Sequence, residues 1–440
     1  MIRINQDTTM TADLLAELIK EHKKNVNRRM RKLWKMYLSE HDILRERHKN
    51  DGKPDNRIVV NFPKYLVDTM NGYFLGNPVK VTAGGEDNER VNDYLEFLNQ
   101  YNDLDNVNSE LGKLTDVFGN AYEIYYRDEE ANLGVMYLSP LDAFMVYDES
   151  ILARPLYFVR LYKGRDNIER GSISDGSEVR YFTVSGGVKF EGEPEPHYFG
   201  EVPATEFVAN DERQGIFEPA ITMIDEFNKA LSEKANDVDY FADAVLKIIG
   251  AEVDEATMQD MRRNRTINVA GEDAVKVIVE FMEKPNADTT QENLIDRLER
   301  LIFQICMVAN ISDENFGTSS GIAMKYKLQG MSNMAKSKER KFTAALNRRY
   351  MLLFGNPASR VSEDAWKHLD YKFTPNIPAN LAEEADTAAK LEGIVSKETQ
   401  LTTLSIIENV TAEIERMDEE EQKALDNAVI NRAFEGGADN

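Results

Sequence analysis

One cysteine, five histidines and two tryptophans in 440 residues leave this chain poor in the side chains from which many small sites are built. The single Cys306 cannot close an intramolecular disulfide, which excludes a disulfide-framed secreted scaffold and points to a reducing cytosol. With five scattered histidines beside it, a Cys/His zinc cluster is excluded as well. No apolar run approaches the roughly 18 residues that cross a bilayer, and Met1 to Thr11 lacks the apolar stretch of a signal peptide. There is no G-x-x-x-x-G-K-[ST] phosphate loop, although Gly171 to Ser177 has its glycine spacing without the lysine. G-x-G-x-x-G, H-E-x-x-H, G-x-S-x-G and EF-hand patterns are missing too. Glu419, Glu420 and Glu421 sit in a solvated helical run, and His197 follows Pro194 and Pro196 in a loop where an exposed histidine is the ordinary reading. Cys306 shares an apolar stripe with Ile302 and Ile305, so packing explains it better than nucleophilic catalysis. These absences predict a structural protein with no catalytic residue, metal or cofactor.

What is present is charge, unevenly placed. Lys and Arg total 53 against 77 Asp and Glu, a net charge of −24, which argues against a protein that simply coats nucleic acid. The first sixty residues carry about +5 and the last sixty about −10, while Ile322 to Tyr350 carries about +7. Such a basic helix either serves a second electrostatic role or solvates one face. Hydrophobic residues at 42% provide for a sizeable core, and the length suits two to four domains.

Periodicity assigns the elements. Val26, Met30, Leu33, Trp34, Tyr37 and Leu38 mark an amphipathic helix whose other faces hold Lys23, Lys24, Arg28, Arg29, Arg31 and Lys32. That basic surface reads as an arm near DNA or an acidic partner, or more ordinarily as a solvated face. A short strand near Arg57 and a helix entered through Pro63 follow, then two helices within Asp87 to Phe118. Strands are predicted at Ala121–Arg127, Gly134–Ser139, Phe144–Asp148, Tyr157–Lys163 and Glu178–Val184, giving an α+β module with a mostly antiparallel sheet. Phe217 to Phe241 and Gln291 to Ala309 read as long amphipathic helices. Between them, Val245–Val253, Thr266–Ala270 and Ala274–Phe281 read as strands and Asp254–Arg265 as a short helix. Asn310 to Gly321 is a polar loop, and Ile322 to Phe354 a single helix of about 50 Å. A strand near Tyr371–Thr374 and C-terminal helices, with a capping box at Asn380 and Glu383 and a break at Gly393, close the chain.

Four long stretches carry a resemblance. DGKPDNRIVVNFPKYLVDTMNGYFLGNPVKV (Asp51–Val81), FGEVPATEFVAND (Phe199–Asp211), EPAITMIDEFNKALSEKANDVDYFADAVLKI (Glu218–Ile248) and ENFGTSSGIAMKYKLQGM (Glu314–Met331) resemble, in order, portal proteins of long-tailed phages of Gram-positive bacteria. The resemblance implies portal architecture: wing 1–216, first stem helix 217–241, clip 242–290, second stem helix 291–309, tunnel loop 310–321, long helix and C-terminal wing part 322–378, and helical crown 379–440. It implies a homo-oligomeric ring of about twelve subunits at one capsid vertex, assembled in the host cytoplasm and carried in the virion, with no membrane association. Double-stranded DNA would pass through its channel during packaging and ejection. Its partners would be terminase, the major capsid and scaffolding proteins, and a head-completion connector. Asn315, Phe316, Thr318, Ser319 and Ser320 are the tunnel-loop candidates, with Asp313 and Glu314 keeping its approach repulsive. Lys325 and Lys327 are candidates for DNA phosphate contacts or for pairing with a neighbouring subunit, and Arg262, Arg263 and Arg265 for partner docking at the clip or for pairing with Asp254 and Glu255. A different ring-forming connector or scaffold-associated protein, or a nucleic-acid-processing enzyme using the basic helix as a groove, are the alternatives. The first is disfavoured by the chain's length and the second by the missing carboxylate cluster.

Overall fold

The computed structural model describes residues 1–47, 54–84, 88–242, 246–249, 278–281, 288–311, 321–377 and 381–404, with scattered residues up to 423. Two compact units emerge: Met1–Thr318 with Lys325–Pro375, and Ser319–Met324 with Asn376–Asn440.

In the larger unit, β1 (Ile2–Ile4) leads into α1 (Ala12–Asn25), which continues through a π-helical turn at Val26–Met30 into α2 (Arg31–Tyr37). Thr11 caps α1 by accepting from the Leu14 N–H at 3.2 Å. Then come α3 (Phe62–Leu75), β2 (Lys80–Ala83), α4 (Asn88–Asn102) and α5 (Leu104–Phe118). The break between the last two is Asp103, whose φ of 50° no helix continues. Strands β3 (Asn120–Arg127), β4 (Leu133–Leu138), β5 (Ala143–Asp148), β6 (Pro155–Lys163), β7 (Glu169–Ser174), β8 (Glu178–Val184), β9 (Val188–Pro196) and β10 (Ala204–Val208) follow.

The strands form separate sheets. Six pair in the order β1-β5-β6-β7-β8-β9, with β1 parallel to β5 and the other neighbours antiparallel. Three pair as β10-β3-β4. Alternation gives the large sheet two apolar faces. Phe144, Val146, Val159, Leu161, Ile173 and Phe182 pack with Leu15, Leu18 and Ile19 of α1. Met145, Tyr147 and Phe158 pack with Tyr122 and Ala204 of the small sheet. β2 pairs with β13 (Leu369–Lys372), nearly three hundred residues away.

Beyond β10 lie α6 (Ile221–Ala242), preceded by a 3₁₀ turn at Glu218–Ala220, and α7 (Asp288–Cys306). Of the predicted insert between them, β11 (Leu246–Ile249) and β12 (Ile278–Phe281) are seen as an antiparallel pair, and the predicted Thr266–Ala270 strand and Asp254–Arg265 helix lie outside the described residues. The helix expected to run unbroken from Ile322 is two helices, α8 (Gly321–Lys327) and α9 (Gln329–Gly355), interrupted at Leu328. Just beyond the interruption, α9 rides over Met307: a Cβ on Gly330 would lie 3.4 Å from the Met307 carbonyl oxygen. In the smaller unit, α10 (Leu381–Leu391) and α11 (Lys397–Thr402) flank the expected break at Gly393, whose φ is 74°. The predicted capping residue Asn380 lies outside the described residues.

The core of the larger unit is held by ion pairs with almost no access to water. Arg349 of α9 donates from Nε (2.9 Å) and Nη2 (2.7 Å) to the two oxygens of Glu123, and again from Nη2 to Asn108 Oδ1 (2.7 Å). Glu123 also accepts from the Tyr125 hydroxyl at 2.7 Å. About three turns earlier on α9, buried Lys338 meets buried Asp116 at 2.5 Å, and its Nζ lies 5.2 Å from the centroid of Phe74. Burial pushes the Asp116 carboxyl up from its ordinary value, against the pull of Lys338.

Losing one partner of such a pair strands a buried charge, so Arg349→Met is expected to destabilise the unit by about 3–5 kcal/mol. Glu123→Gln with Arg349→Met should recover part of that loss. Thermal unfolding of the three chains checks this; additive losses in the double variant would show that the two groups do not act as a pair. A second expectation concerns pH. His22 stacks on Phe144 with centroids 4.5 Å apart, and burial pulls its pKa down from 6.5 to about 4. The unfolded chain therefore binds this proton first, and the stability held by the neutral ring drains away as pH falls from 6.5 towards about 4. His22→Leu should flatten the fall of Tm across that window, leaving a smaller slope from His41 and His197, which burial also shifts down. An unchanged slope would place the acid sensitivity elsewhere.

Candidate functional site

The long helices α6 and α7 are rooted in the larger unit by a joint, an aromatic cluster and a polar ladder. At the joint, two backbone segments press together. A Cβ on Gly119 (φ 87°) would fall 2.0 Å from the Arg213 carbonyl oxygen, and one on Gly215 would fall 2.3 Å from that of Val117. Only glycine fits either position. Arg29 closes the joint: Nη2 donates to the carbonyls of Phe118 (2.9 Å) and Arg213 (2.7 Å), and its fork pairs with Glu218 at the start of the 3₁₀ turn. Arg213 in turn grips Glu206 through two hydrogen bonds, of 2.9 and 2.7 Å, and Tyr147 donates to the same carboxylate. The aromatic cluster sets Phe62 and Tyr65 of α3 edge-on to Phe303 of α7, and Phe62 edge-on to Phe227 of α6.

The ladder is the least expected feature. Residues 54–61 run extended beside α6, and their alternate N–H groups donate to its side chains. Asn56 donates to Asn236 Oδ1 (2.6 Å), Ile58 to Ser232 Oγ (2.9 Å) and Val60 to Asn228 Oδ1 (2.8 Å). Four helical residues rise ~6.0 Å and two extended residues ~6.6 Å, so the two repeats keep step for three rungs. The segment predicted as a strand near Arg57 thus has helix side chains for a partner instead of a second strand. Asn228, Ser232 and Asn236 escape an apolar-stripe analysis because they are polar; the spacing i, i+4, i+8 of short hydrogen-bonding residues opposite an alternating run is the signal that would find them.

The basic helix also changes character. Of its eight cations, Lys338 and Arg349 are buried in ion pairs, Lys341 pairs with Asp211 (2.5 Å) and Arg348 with Glu201 (2.7 Å). Four charges therefore fasten α9 to the body of the unit, and the two buried ones are out of reach of any ligand. Lys325, Lys327, Lys336 and Arg340 are exposed. The basic face of α1 and α2 is likewise spent in part, on the pairs Lys23–Glu169 and Arg29–Glu218. The tunnel-loop residues Asn315, Phe316, Thr318, Ser319 and Ser320 and the arginines 262, 263 and 265 lie outside the described residues.

The residues set aside as chemistry prove structural. His197 is half-buried, not exposed: its Nε2 lies 3.0 Å from the Asp175 carbonyl oxygen, and burial lowers its pKa. Gly171, at the head of the loop-like glycine spacing, lies within β7, where a Cβ would meet the Arg160 carbonyl oxygen at 2.3 Å. Cys306 is buried as expected, with its thiol pushed up to about 12. Among the described residues no group of three His, Cys, Asp or Glu could hold a metal ion, and no helix is long and apolar enough to cross a membrane.

The architecture defines an α+β protein carrying a helical hairpin. The profile of the family described as "Phage portal protein, SPP1 Gp6-like" matches residues 16–426, and the chain belongs to that family. A portal protein of Clostridium phage phiCD119 is 24% identical over 427 residues, covering 88% of this chain and 91% of its own. The portal protein of Bacillus phage SPP1 is 23% identical over 452 residues, covering 94% and 86%. Among solved structures, a chain described as "Neck of empty GTA particle computed with C6 symmetry" overlaps 78% of this chain and 89% of its own at 14% identity and a TM-score of 0.45, too low to bear on fold or function. Membership makes the chain a virion component that works as an oligomer.

The ladder yields a prediction. Ser232→Val leaves the Ile58 N–H without its partner, and Asn228→Leu does the same for Val60, each costing about 1–3 kcal/mol. Hydrogen exchange at Ile58 and Val60 should speed up in these variants while the six-stranded sheet keeps its protection. Unchanged exchange would show that residues 54–61 are held by other contacts.

Proposed function

We propose that about twelve copies of this chain close into the portal ring of a phage head, with α6 and α7 as its stem and the insert between them as its clip. Through the ring's channel, double-stranded DNA is packaged and ejected. The clip docks terminase during packaging, through Arg262, Arg263 and Arg265, and a head-completion connector afterwards. The capsid and scaffolding proteins surround the ring, which assembles in the host cytoplasm. The observation that carries this reading is the family match across residues 16–426. The exposed apolar side chains of the hairpin, among them Val238, Leu294 and Ile305, support it, because in a ring a neighbour covers them. The ring itself has no catalytic role: with no phosphate cradle in the sequence, ATP is hydrolysed by the separate packaging motor.

Translocation asks for weak contact. Duplex DNA presents one charge per ~1.7 Å, and every cation held against it adds a counterion-release term that resists sliding. An uncharged collar from Asn315 to Ser320, approached past Asp313 and Glu314, meets that need, with Lys325 and Lys327 as brief phosphate contacts. Thr318→Lys with Ser319→Lys should leave rings that look like wild type by negative stain yet package DNA more slowly, most at low salt. Normal rates across a salt series would remove the loop from the DNA path, and a stable monomer in light scattering at high concentration would remove the ring.

A further inference from the structure

The two helices of the hairpin turn faces of opposite charge away from each other. α7 buries Ile295, Leu298, Ile302 and Cys306, at i, i+3, i+7 and i+11. Half a turn round, at i, i+4, i+7 and i+11, it exposes Asn293, Arg297, Arg300 and Gln304. Neither arginine has an ion-pair partner among the described residues; Asp296 borders the face. On α6, which packs along α7, Ile224 and Phe227 are buried with Leu231 half-buried beside them. Roughly opposite that stripe stand Glu226, Lys229 and Glu233, at i, i+3 and i+7. Lys229 reaches Glu226 at 4.0 Å, Lys32 reaches the adjoining Asp225 at 3.6 Å and Asn236 Nδ2 donates to half-buried Glu233 at 3.4 Å, so the face stays acidic but only modestly.

Beside the arginines runs a second apolar stripe, Leu294, Leu301 and Ile305, at i, i+7 and i+11, with Leu294 and Ile305 each 45% exposed and Leu301 half-buried between them. This stripe selects the occupant. Duplex DNA would satisfy the arginines and leave the leucines in water, whereas a protein helix with carboxylates on its surface covers both. This chain carries such a helix on the far side of the same hairpin.

We propose that the Arg297–Arg300 face of α7 docks on the Glu226–Glu233 face of α6 in the next copy of this chain. The inference rests on the ring reading above and names the surfaces that close it. Because donor and acceptor faces point apart, the contact is head-to-tail, and repetition generates a ring instead of a two-fold dimer. Exposed charges give such a contact its register more than its strength, while the apolar stripe supplies buried area.

Complementation tests it. One variant carries Arg297→Glu and Arg300→Glu and so offers two acidic faces; the other carries Glu226→Lys and Glu233→Lys and offers two basic ones. Each alone should need at least about tenfold more protein than wild type to assemble in mass photometry, with the gap narrowing at high salt. Mixed in equal amounts they should form rings of alternating chains at the wild-type concentration. Far-ultraviolet circular dichroism of each variant confirms folding, and if either misfolds, Arg297→Gln with Arg300→Gln and Glu226→Gln with Glu233→Gln replace them, both expected to weaken assembly. Variants that assemble singly like wild type would overturn the docking and leave the ring standing, as would a mixture that fails while each chain is folded. Rings that form normally but retain DNA less well would assign the arginines to the channel instead. Failure of the wild-type chain to form rings would strike the ring reading itself.

Discussion

A guanidinium in the protein interior cannot shed its proton, so it must be met on every side by acceptors. Arg349 is met by both oxygens of Glu123 and by Asn108, with Phe207 under its plane at 5.6 Å. The arrangement draws β3, α5 and β10 to one point on α9, and the orientation of that helix follows. Lys338, eleven residues earlier, is then held over Asp116 of α5, and Phe342 is enclosed by Phe74 and Phe207 between them. Apolar burial supplies most of the stabilisation in such a core, but it is tolerant of register. Two fully buried ion pairs are not, because a shift of α9 by one residue would strand four charges.

From α9 the order passes to the joint at Gly119 and Gly215, where α5 ends and the hairpin begins. Lys338 holds Asp116, whose carbonyl accepts from the Ile216 N–H at 2.8 Å. Arg29 brings the basic N-terminal helices to the same place. Part of the charge that looked like a surface for nucleic acid is thus scaffolding. Lys24, Arg28 and Arg31 of the N-terminal helices, Lys325 and Lys327 of α8 and Lys336 and Arg340 of α9 stay exposed.

Most of the local elements were legible in the sequence. The two hairpin helices, α3, α4, α5 and five of the strands follow from period alone, since periodicity reports which face is apolar and little else. β7 and β9 did not, because GSIS is small and polar and Pro194 and Pro196 argue against a strand; their places come from neighbours that supply the hydrogen bonds. The tripeptide Ile2–Ile4 is too short to carry a pattern and is a strand through its parallel pairing with β5. The interruption at Leu328 breaks no propensity rule, as a run without proline reads as one helix.

The sequence by itself determined the class of molecule: the spacing of its apolar residues sets the helices and strands, its lack of catalytic and metal-ligand patterns removes most chemistries, and four long stretches carry the portal family's resemblance. What tertiary structure decided is which charges are spent. Arg349 and Arg340 are the same residue type on the same helix, and nothing local separates one buried against Glu123 from one left in water. The polar ladder is likewise invisible locally, since Asn56 and its partner Asn236 are 180 residues apart in sequence and meet only through folding, and the three rungs exist because an extended chain and a helix happen to share a repeat near 6 Å. Pairings of this kind depend on distance in space, which a one-dimensional pattern does not contain.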